Sequence, residues 1–312
     1  MSKKKRNYAE VHGWVILDKP VGMTSTQAVG KLKRLFNAGK AGHAGTLDPL
    51  ASGLLPVAFG EATKTVSFVM DGRKIYRFTV RWGIQTTTDD TEGEVLATSE
   101  HRPSQATIEA LLPRFTGEIM QVPPQYSAIK IDGERAYDLA REGEDVLLEA
   151  RPIEVHRLTL VDCPDDDTAV FDCECGKGTY VRALARDMGL ALGTRGHVIG
   201  LRRLLVGPFD AEDMIGFEEI EAIIDEAKAA GTTPDEAMLT VDTALEDLPE
   251  VMLTREAAAR LRNGQPALLR GRDAPTEGWV FATCSGELVA LGEIEQGQLH
   301  PRRVFNLPPV AA

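Results

Sequence analysis

Cysteine is scarce in this 312-residue chain. Cys163, Cys173, Cys175 and Cys284 stand at irregular intervals. Cys173 and Cys175 could suggest a metal pair, but no second pair stands at ligand spacing. From Ala169 to Cys175 the pattern alternates, with Ala169, Phe171, Cys173 and Cys175 on one face and Asp172 and Glu174 on the other. That is a half-buried strand with core thiols, so no metal is expected. Long apolar runs are missing as well. No stretch of about 18 apolar residues exists, so no membrane span is expected. The basic start, Met1 to Arg6, is not followed by the apolar core of a signal peptide, which makes the cytoplasm the expected compartment. Residues 1–9 are expected to be a disordered basic tail.

The sequence also lacks the usual cofactor and nucleophile signatures. There is no Gly-x-x-x-x-Gly-Lys-Ser/Thr, no Gly-x-Gly-x-x-Gly that follows a strand and opens a helix, and no Gly-x-Ser-x-Gly. None of the six histidines sits in a motif that requires it. A Ser/His/Asp arrangement assembled in space stays open.

Positive charge is short overall, since the net charge is -12. Its distribution matters more than the total. Residues 209–250 carry fourteen Asp and Glu against one Lys, a net of -13, which leaves the rest of the chain at +1. Residues 1–64 carry ten Lys or Arg against four acids, and residues 177–203 carry six against one. Phosphate binding depends on a local patch, so nucleic acid is not excluded. The acidic stretch is expected to face away from such a partner.

Periodicity predicts interspersed helices and strands without regular βαβ alternation. A strand over Val11–Leu17 leads to a helix capped by Thr24 or Ser25, with Ala28, Val29, Leu32 and Leu35 on one stripe. A second helix is predicted over Glu61–Met70, with Lys64 in its first turn, where the positive helix end disfavours a cation and hints at another partner. Strand Ile75–Trp82 alternates, with Tyr76, Phe78, Val80 and Trp82 on one face. A strand over Glu94–Ala97, a helix over Ser104–Phe115 and a short helix over Glu134–Arg141 follow. Val155–Val161 and Ala169–Cys175 are predicted to pair as a hairpin, then come a helix ending near Gly193 and an apolar strand, His197–Val206, containing Arg202 and Arg203. After helix Phe217–Ala230 the chain loosens through Gly231–Pro234, the best local boundary signal. A helix over Thr254–Arg262 and a hairpin turning at Ser285-Gly286 mark a small β module of a size that can fold alone. The expected class is α+β: a mixed, largely antiparallel central sheet flanked by helices, with a small C-terminal β-barrel-like domain.

One stretch stands out, Gly42-His43-Ala44-Gly45-Thr46-Leu47-Asp48-Pro49-Leu50. Its glycines permit tight turns, and Pro49 pushes Asp48 towards extended backbone. By local pattern this is a turn that displays one carboxylate. A carboxylate can serve as nucleophile or as acid/base, and in a partly buried site it needs a cation to stay ionised. Arg182 and Lys64 are the candidate cations. Tyr76 and Tyr180 are candidate stacking faces for a base held out of its helix.

These segments resemble the TruB family of tRNA pseudouridine synthases. The stretch from Gly42 to Pro49 matches the family's Gly-His-x-Gly-(Thr/Ala)-Leu-Asp-Pro motif. Trp14 to Ser25, with Asp18-Lys19-Pro20-x-Gly22-Met23-x-Ser25, matches the opening motif. Pro124-x-Tyr126-Ser127-Ala128-x-Lys130, Lys177-Gly178-Thr179-Tyr180-Val181-Arg182 and His197-Val198-Ile199-x-Leu201-Arg202-Arg203 match three more, in order. The resemblance covers about residues 12–307 and extends to a C-terminal module similar to a PUA RNA-binding barrel.

The resemblance implies a catalytic domain at 10–246, with an RNA-contacting insertion at about 124–152, and a PUA-like domain at 247–312. It implies isomerisation of uridine-55 in the T-loop of tRNA, with no metal, cofactor or protein partner, by a monomer. Asp48 would attack a flipped-out uridine at C1′ or C6. Tyr76 would stack on the base and assist proton removal from C5. Arg182 would pair with Asp48 and lower its pKa, and His43 would displace the base in the RNA loop. Lys64, Tyr180 and Leu201 would line the pocket, and Lys19 and Lys130 would contact substrate. The PUA-like domain would reach the acceptor end. Two rivals stay open: an RNA-guided enzyme with partner proteins, and an RNA-binding module without catalysis.

Overall fold

The computed structural model describes residues 8–126, 130–131, 134–135, 148–269 and 275–308. Its centre is a mixed eight-stranded sheet. Along the chain the strands are β1 (Gly13–Lys19), β2 (Ala41–His43), β3 (Ala51–Phe59), β4 (Lys74–Trp82), the small pair β5 (Ile84–Thr86) and β6 (Val95–Thr98), β7 (Gly117–Gln121), the small pair β8 (Lys130–Ile131) and β9 (Glu134–Arg135), β10 (Arg151–Asp165), β11 (Thr168–Cys175) and β12 (Gly196–Val206). The central order is β1-β3-β12-β4-β11-β10-β7, with β2 paired to β3. Within this sheet β12 and β3 are the one parallel pair among the described residues; their register sets Leu201 opposite Ala51 and Arg203 opposite Gly53. Gly53 has φ +92, and a Cβ there would stand 2.3 Å from the Arg203 carbonyl oxygen, so this crossing requires glycine.

The sheet holds an apolar layer on each side. Trp82, Phe78 and Phe171 stack with Val80, Val155 and Met188 on one side. Leu17, Leu32, Leu55, Val57, Phe59 and Ile220 fill the other. Helix Ser25–Leu35 begins at Thr24, whose hydroxyl accepts from the Gln27 N–H in a capping box. Ser25 is released from capping for another task. Helix Val181–Ala191 packs along β12 and buries Val181, Leu184, Ala185 and Met188.

The α+β expectation holds, with four local corrections. Expected helix Glu61–Met70 is a 3₁₀ turn, Gly60–Lys64, followed by helix Val66–Asp71. The Thr63 and Thr65 hydroxyls donate to the Gly60 and Ala62 carbonyls and break the run. Helix Ser104–Phe115 likewise stops at Leu111 and tightens to 3₁₀ where Pro113 removes a donor. Glu134 and Arg135, expected to open a helix, pair as β9 with Lys130 and Ile131; residues 136–141 of that expectation lie outside the described residues. Gly231–Pro234 is a turn rather than a boundary. Leu239 pairs with Trp14 across two backbone hydrogen bonds of 2.8 Å, and Val241, Ala244 and Leu245 are buried beyond it.

The C-terminal sheet has the order β13 (Glu250–Met252), β15 (Gly278–Cys284), β16 (Glu287–Glu295), β17 (Gln298–Val304) and β14 (Ala267–Leu268). Its inner layer, Val280, Ala282, Val289 and Leu299, packs with Leu261 of helix Arg255–Arg262. The sheet is not independent of the rest. Phe281, Leu288, Leu291 and Phe305 belong to one buried cluster with Trp14, Val69, Phe209 and Leu245. The two units share a core, so a cut near Asp247 exposes apolar surface on both.

Candidate active site

Three segments meet at the C-terminal end of β1 and the start of β3. The first is the loop carrying Asp48. The Ser25 hydroxyl donates to the Leu47 carbonyl at 3.0 Å and accepts from the Leu47 N–H at 2.8 Å, a buried double contact one residue before the carboxylate. Gly22 N–H donates to the Pro49 carbonyl at 2.7 Å, and Ala51 N–H closes a turn on the Asp48 carbonyl at 3.1 Å. Gly45 has φ +100, and its carbonyl accepts from Arg203 Nη2 at 2.9 Å. The Asp48 backbone is thus held on both flanks before any ligand arrives.

The second segment is the first turn of helix Val181–Ala191. Arg182 Nε lies 2.9 Å from Asp48 Oδ2, and the Arg182 side chain is only 6% exposed while that of Asp48 is 36% exposed. The third segment is the turn Thr88–Asp90. Arg182 Nη1 donates to the Thr88 carbonyl at 2.9 Å and lies 3.4 Å from Asp90 Oδ2; Nη2 donates to the Tyr126 carbonyl at 2.9 Å. One buried guanidinium therefore spans two carboxylates and two carbonyls. Beside it Arg186 bonds Asp89 at 3.0 Å, Asp187 at 2.8 Å and the Val122 carbonyl at 2.7 Å. Burial pushes the Asp89 carboxyl up to about 6, against the pull of Arg186.

The charge balance at Asp48 differs from expectation. Burial of the carboxylate raises its pKa above 3.8; Arg182 opposes this, Asp90 adds to it, and Arg182's hydrogen bond and Lys19 also pull it down. Arg182 does lower the pKa, but desolvation is the larger effect and the net shift is upward. Lys19, at the end of β1, is fully buried and donates to the Pro20 and Met23 carbonyls at 2.9 and 2.7 Å. Burial lowers its pKa to about 8, with Asp48 raising it and Arg203 lowering it further.

Tyr76 sits in β4 with Arg203 of β12 as its cross-strand partner. Burial raises the phenol pKa, and the facing Arg203 guanidinium counters it. Arg203 itself is 1% exposed and donates from Nε to the Leu54 carbonyl at 2.8 Å. It ties the Gly45 loop, β3 and Tyr76 together. Leu201, two residues before it, packs half-buried with Tyr76 against both apolar layers. His43 ends β2; burial and Arg203 hold its imidazole pKa below 6.5, and its Nδ1 is buried without a hydrogen-bond partner among the described residues. Tyr180 precedes the Arg182 helix, its backbone clamped by Gln121, which accepts from its N–H at 2.9 Å and donates to its carbonyl at 3.2 Å.

Arg182 and Lys19 are thus brought to Asp48, and Arg203 acts on Lys19, Tyr76 and His43 alike. Lys64 is not part of this set. It lies past the opposite end of β3, where Nζ donates to Glu61 Oε2 at 2.6 Å and to the Val304 carbonyl at 2.7 Å. The reason is geometric: β3 spans nine residues, about 30 Å of extended chain. The other partner that its misfit helix position foretold is the C-terminal sheet. Lys130 has its backbone paired with Arg135, and its side chain lies outside the described residues. Sequence reading missed Asp90 and Arg203. Asp90 lies in a run, Thr87-Thr88-Asp89-Asp90, that reads as an ordinary polar turn. Arg203 did leave a signal, an arginine on an apolar strand.

Three family models match consecutive parts of the chain. The TruB family pseudouridylate synthase N-terminal domain covers residues 33–181, the tRNA pseudouridylate synthase B C-terminal domain covers 182–246, and the pseudouridine synthase II TruB C-terminal model covers 249–305. A tRNA pseudouridine synthase B of Bradyrhizobium diazoefficiens is 64% identical over 309 residues, which are 99% of this chain and 90% of that one. The protein of the same name from Agrobacterium fabrum is 57% identical, with 95% of each chain covered. Among solved structures, a chain in an H/ACA RNP bound to a substrate RNA containing 2'-deoxyuridine superposes with a TM-score of 0.74 at 26% identity, covering 95% of this chain and 86% of that one. A chain in a Cbf5-Nop10-Gar1 complex gives 0.73 at 27% identity, covering 94% and 84%. The C-terminal sheet shares the curled, PUA-like form of those structures. The chain belongs to the TruB family of pseudouridylate synthases, a family of isomerases.

Proposed function

We propose that this chain converts uridine-55 in the T-loop of tRNA to pseudouridine, with Asp48 as nucleophile on a flipped-out uridine and without cofactor, metal or protein partner. The observation that carries the reading is the Asp48 carboxylate, 36% exposed and held at 2.9 Å by a buried arginine. Relatives that cover nearly the whole chain are named tRNA pseudouridine synthase B.

The reaction is an isomerisation. The carboxylate attacks C1′ of the sugar or C6 of the base, and the N1–C1′ bond breaks. The uracil turns, C5 joins C1′, the bond to the Asp48 carboxylate breaks and returns the free aspartate, the C5 proton leaves to solvent and N1 takes up a proton. Atoms balance within the substrate. Arg182 orients Asp48 and offsets part of its desolvation cost, so that the carboxylate stays available as anion. Tyr76 enters as a neutral phenol, since burial raises its pKa; it serves first as a stacking face. Leu201 excludes water, which strengthens the ion pair. His43 enters as a neutral imidazole and displaces the base in the RNA loop. Tyr180 and Lys19 complete the substrate contacts. A base already in a loop costs less to unstack, a few kcal/mol at most. The C-terminal sheet adds RNA-binding surface.

The test uses T-arm RNA carrying 5-tritiated uridine. Asp48→Asn is expected to lower tritium release by about 10⁴-fold or more while RNA binding persists. Release at the wild-type rate in that variant would sink Asp48 as nucleophile, and wild-type protein that binds RNA without ever releasing tritium would reduce the chain to a binding module. The structural neighbours come from complexes with further proteins, so a guided enzyme is the second reading. Purified chain alone, acting on tRNA with pseudouridine mapped at single positions, separates the two.

A further inference from the structure

A pocket of about 460 Å³ opens at the seam between helix Val66–Asp71 and the C-terminal sheet, at the end of β3 remote from Asp48. Its walls combine Lys64, Phe68 and Asp71 of the catalytic unit with Trp279, Arg302 and Arg303 of the C-terminal sheet. Trp279 meets Phe68 edge to face, ring centroids 5.4 Å apart, and stays 38% exposed, so indole surface remains open to the pocket. The cations differ in how far they are already engaged. Arg302 is taken up by Glu293 and Glu295 at 3.1 and 2.8 Å. Asp71, the pocket's one acid, is paired with Lys177 at 3.0 Å. Arg303 donates to the Arg302 carbonyl and forms no ion pair among the described residues. Lys64 keeps one N–H beyond its bonds to Glu61 and Val304.

We infer that the seam pocket holds one unpaired nucleotide of the RNA substrate, its base on the Trp279 indole and its phosphate on Arg303 and Lys64. The chemistry is that of single-strand recognition, in which an aromatic face accepts any base and a nearby cation takes the backbone. The volume suits a ligand of nucleotide size and is too open for a buried apolar molecule. The inference rests on the RNA-modifying function proposed above. It adds a site about 30 Å from Asp48, since β3 spans that distance. A nucleotide so far from the reacting uridine lies outside a short T-arm hairpin, and the seam therefore distinguishes whole tRNA from its fragment.

The experiment compares full-length tRNA with an isolated T-arm hairpin, using the full chain and the variants Trp279→Ala and Arg303→Glu. Both variants are expected to raise Kd and KM for full-length tRNA about tenfold, to leave its kcat near wild type, and to shift the hairpin values less than twofold. Equal losses on both substrates would mean that the seam acts through the fold and would overturn the inference, as would no loss on either. A second measurement stands apart from catalysis. Trp14 and Trp82 are buried, so quenching of tryptophan emission by a mixed-sequence single-stranded RNA hexamer reports on Trp279. Saturable quenching that Arg303→Glu weakens supports the pocket; absence of quenching overturns it. If wild-type protein fails to modify tRNA yet the hexamer quenches, the proposed function fails and the nucleotide site stands.

Discussion

The two ends of strand β3 make an instructive pair. Both carry a lysine or arginine against a carboxylate, and both place an aromatic ring nearby. At the Ala51 end, Arg182 is almost wholly buried, and its partner Asp48 is the more exposed member of the pair. At the Phe59 end, Lys64 and Glu61 are a helical i,i+3 pair, 26% and 16% exposed, tied to the Val304 carbonyl and the Asn306 N–H of the C-terminal sheet. The first end uses its arginine to hold a partly exposed carboxylate. The second spends its lysine on joining two units. Residue types alone do not tell these roles apart; burial of the cation and freedom of the anion do.

The sharpest way to break the comparison is to remove the cation at each end. Arg182→Ala leaves Asp90, 3% exposed at its side chain, without its arginine. Losing one partner of a buried pair costs on the order of 3–5 kcal/mol, so kcat/KM is expected to fall about 10²–10³-fold. Arg182→Lys is expected to recover only part, because an ammonium cannot span two carboxylates and two carbonyls at once. Wild-type rates in Arg182→Ala would remove the guanidinium from the mechanism.

A pH profile comes next. An acid whose pKa is raised in the folded protein holds its proton more tightly, so the anion that the proposed attack requires is lost as pH falls, and lost at higher pH than for an ordinary aspartate. The acid limb of kcat/KM is expected to have its midpoint above 3.8. Asp89 also titrates nearby, at about 6, so the profile is measured again in Asp89→Asn to assign the limb. A midpoint at or below 3.8 in both would contradict the desolvation of Asp48.

Ser25→Ala tests the clamp on the Asp48 loop. It removes two buried hydrogen bonds to Leu47, worth about 1–3 kcal/mol together, and is expected to lower thermal stability and kcat while sparing KM. The smallest effect belongs to the other end. Lys64→Met loses the bonds to Glu61 and Val304 and is expected to cost about 1 kcal/mol of stability, read as a drop in melting temperature, and to raise KM for full-length tRNA while sparing kcat. A loss of kcat at Lys64 as deep as at Arg182 would erase the distinction between the two ends.

Much of the fold was legible because its signals are local. The alternation of Ala169 to Cys175 foretold a strand whose four inward residues are fully buried, and the Ser285-Gly286 turn foretold the β15–β16 hairpin. The errors sit where side chains compete with the backbone, as at Thr63 and Thr65, or where distant contacts overrule a local break, as at Gly231–Pro234, beyond which Leu239 returns to pair with Trp14. In the site, Asp48 was conspicuous as a lone acid in a glycine loop. Asp90 was not, because a polar turn looks the same whether or not it faces an arginine.

The order of its motifs by itself placed this chain in its family, and the spacing of glycines and Pro49 singled out Asp48. Those are properties of neighbouring residues. Three matters were decided only in the tertiary structure: which cation reaches Asp48, which way its pKa moves, and whether the C-terminal sheet stands alone. Each depends on groups far apart in the chain. Arg182 lies 134 residues beyond Asp48 in sequence and 2.9 Å from it in space, desolvation depends on what surrounds a carboxylate on every side, and the shared core joins Trp14 to Phe305. Sheet topology sets those distances, and no local pattern encodes them.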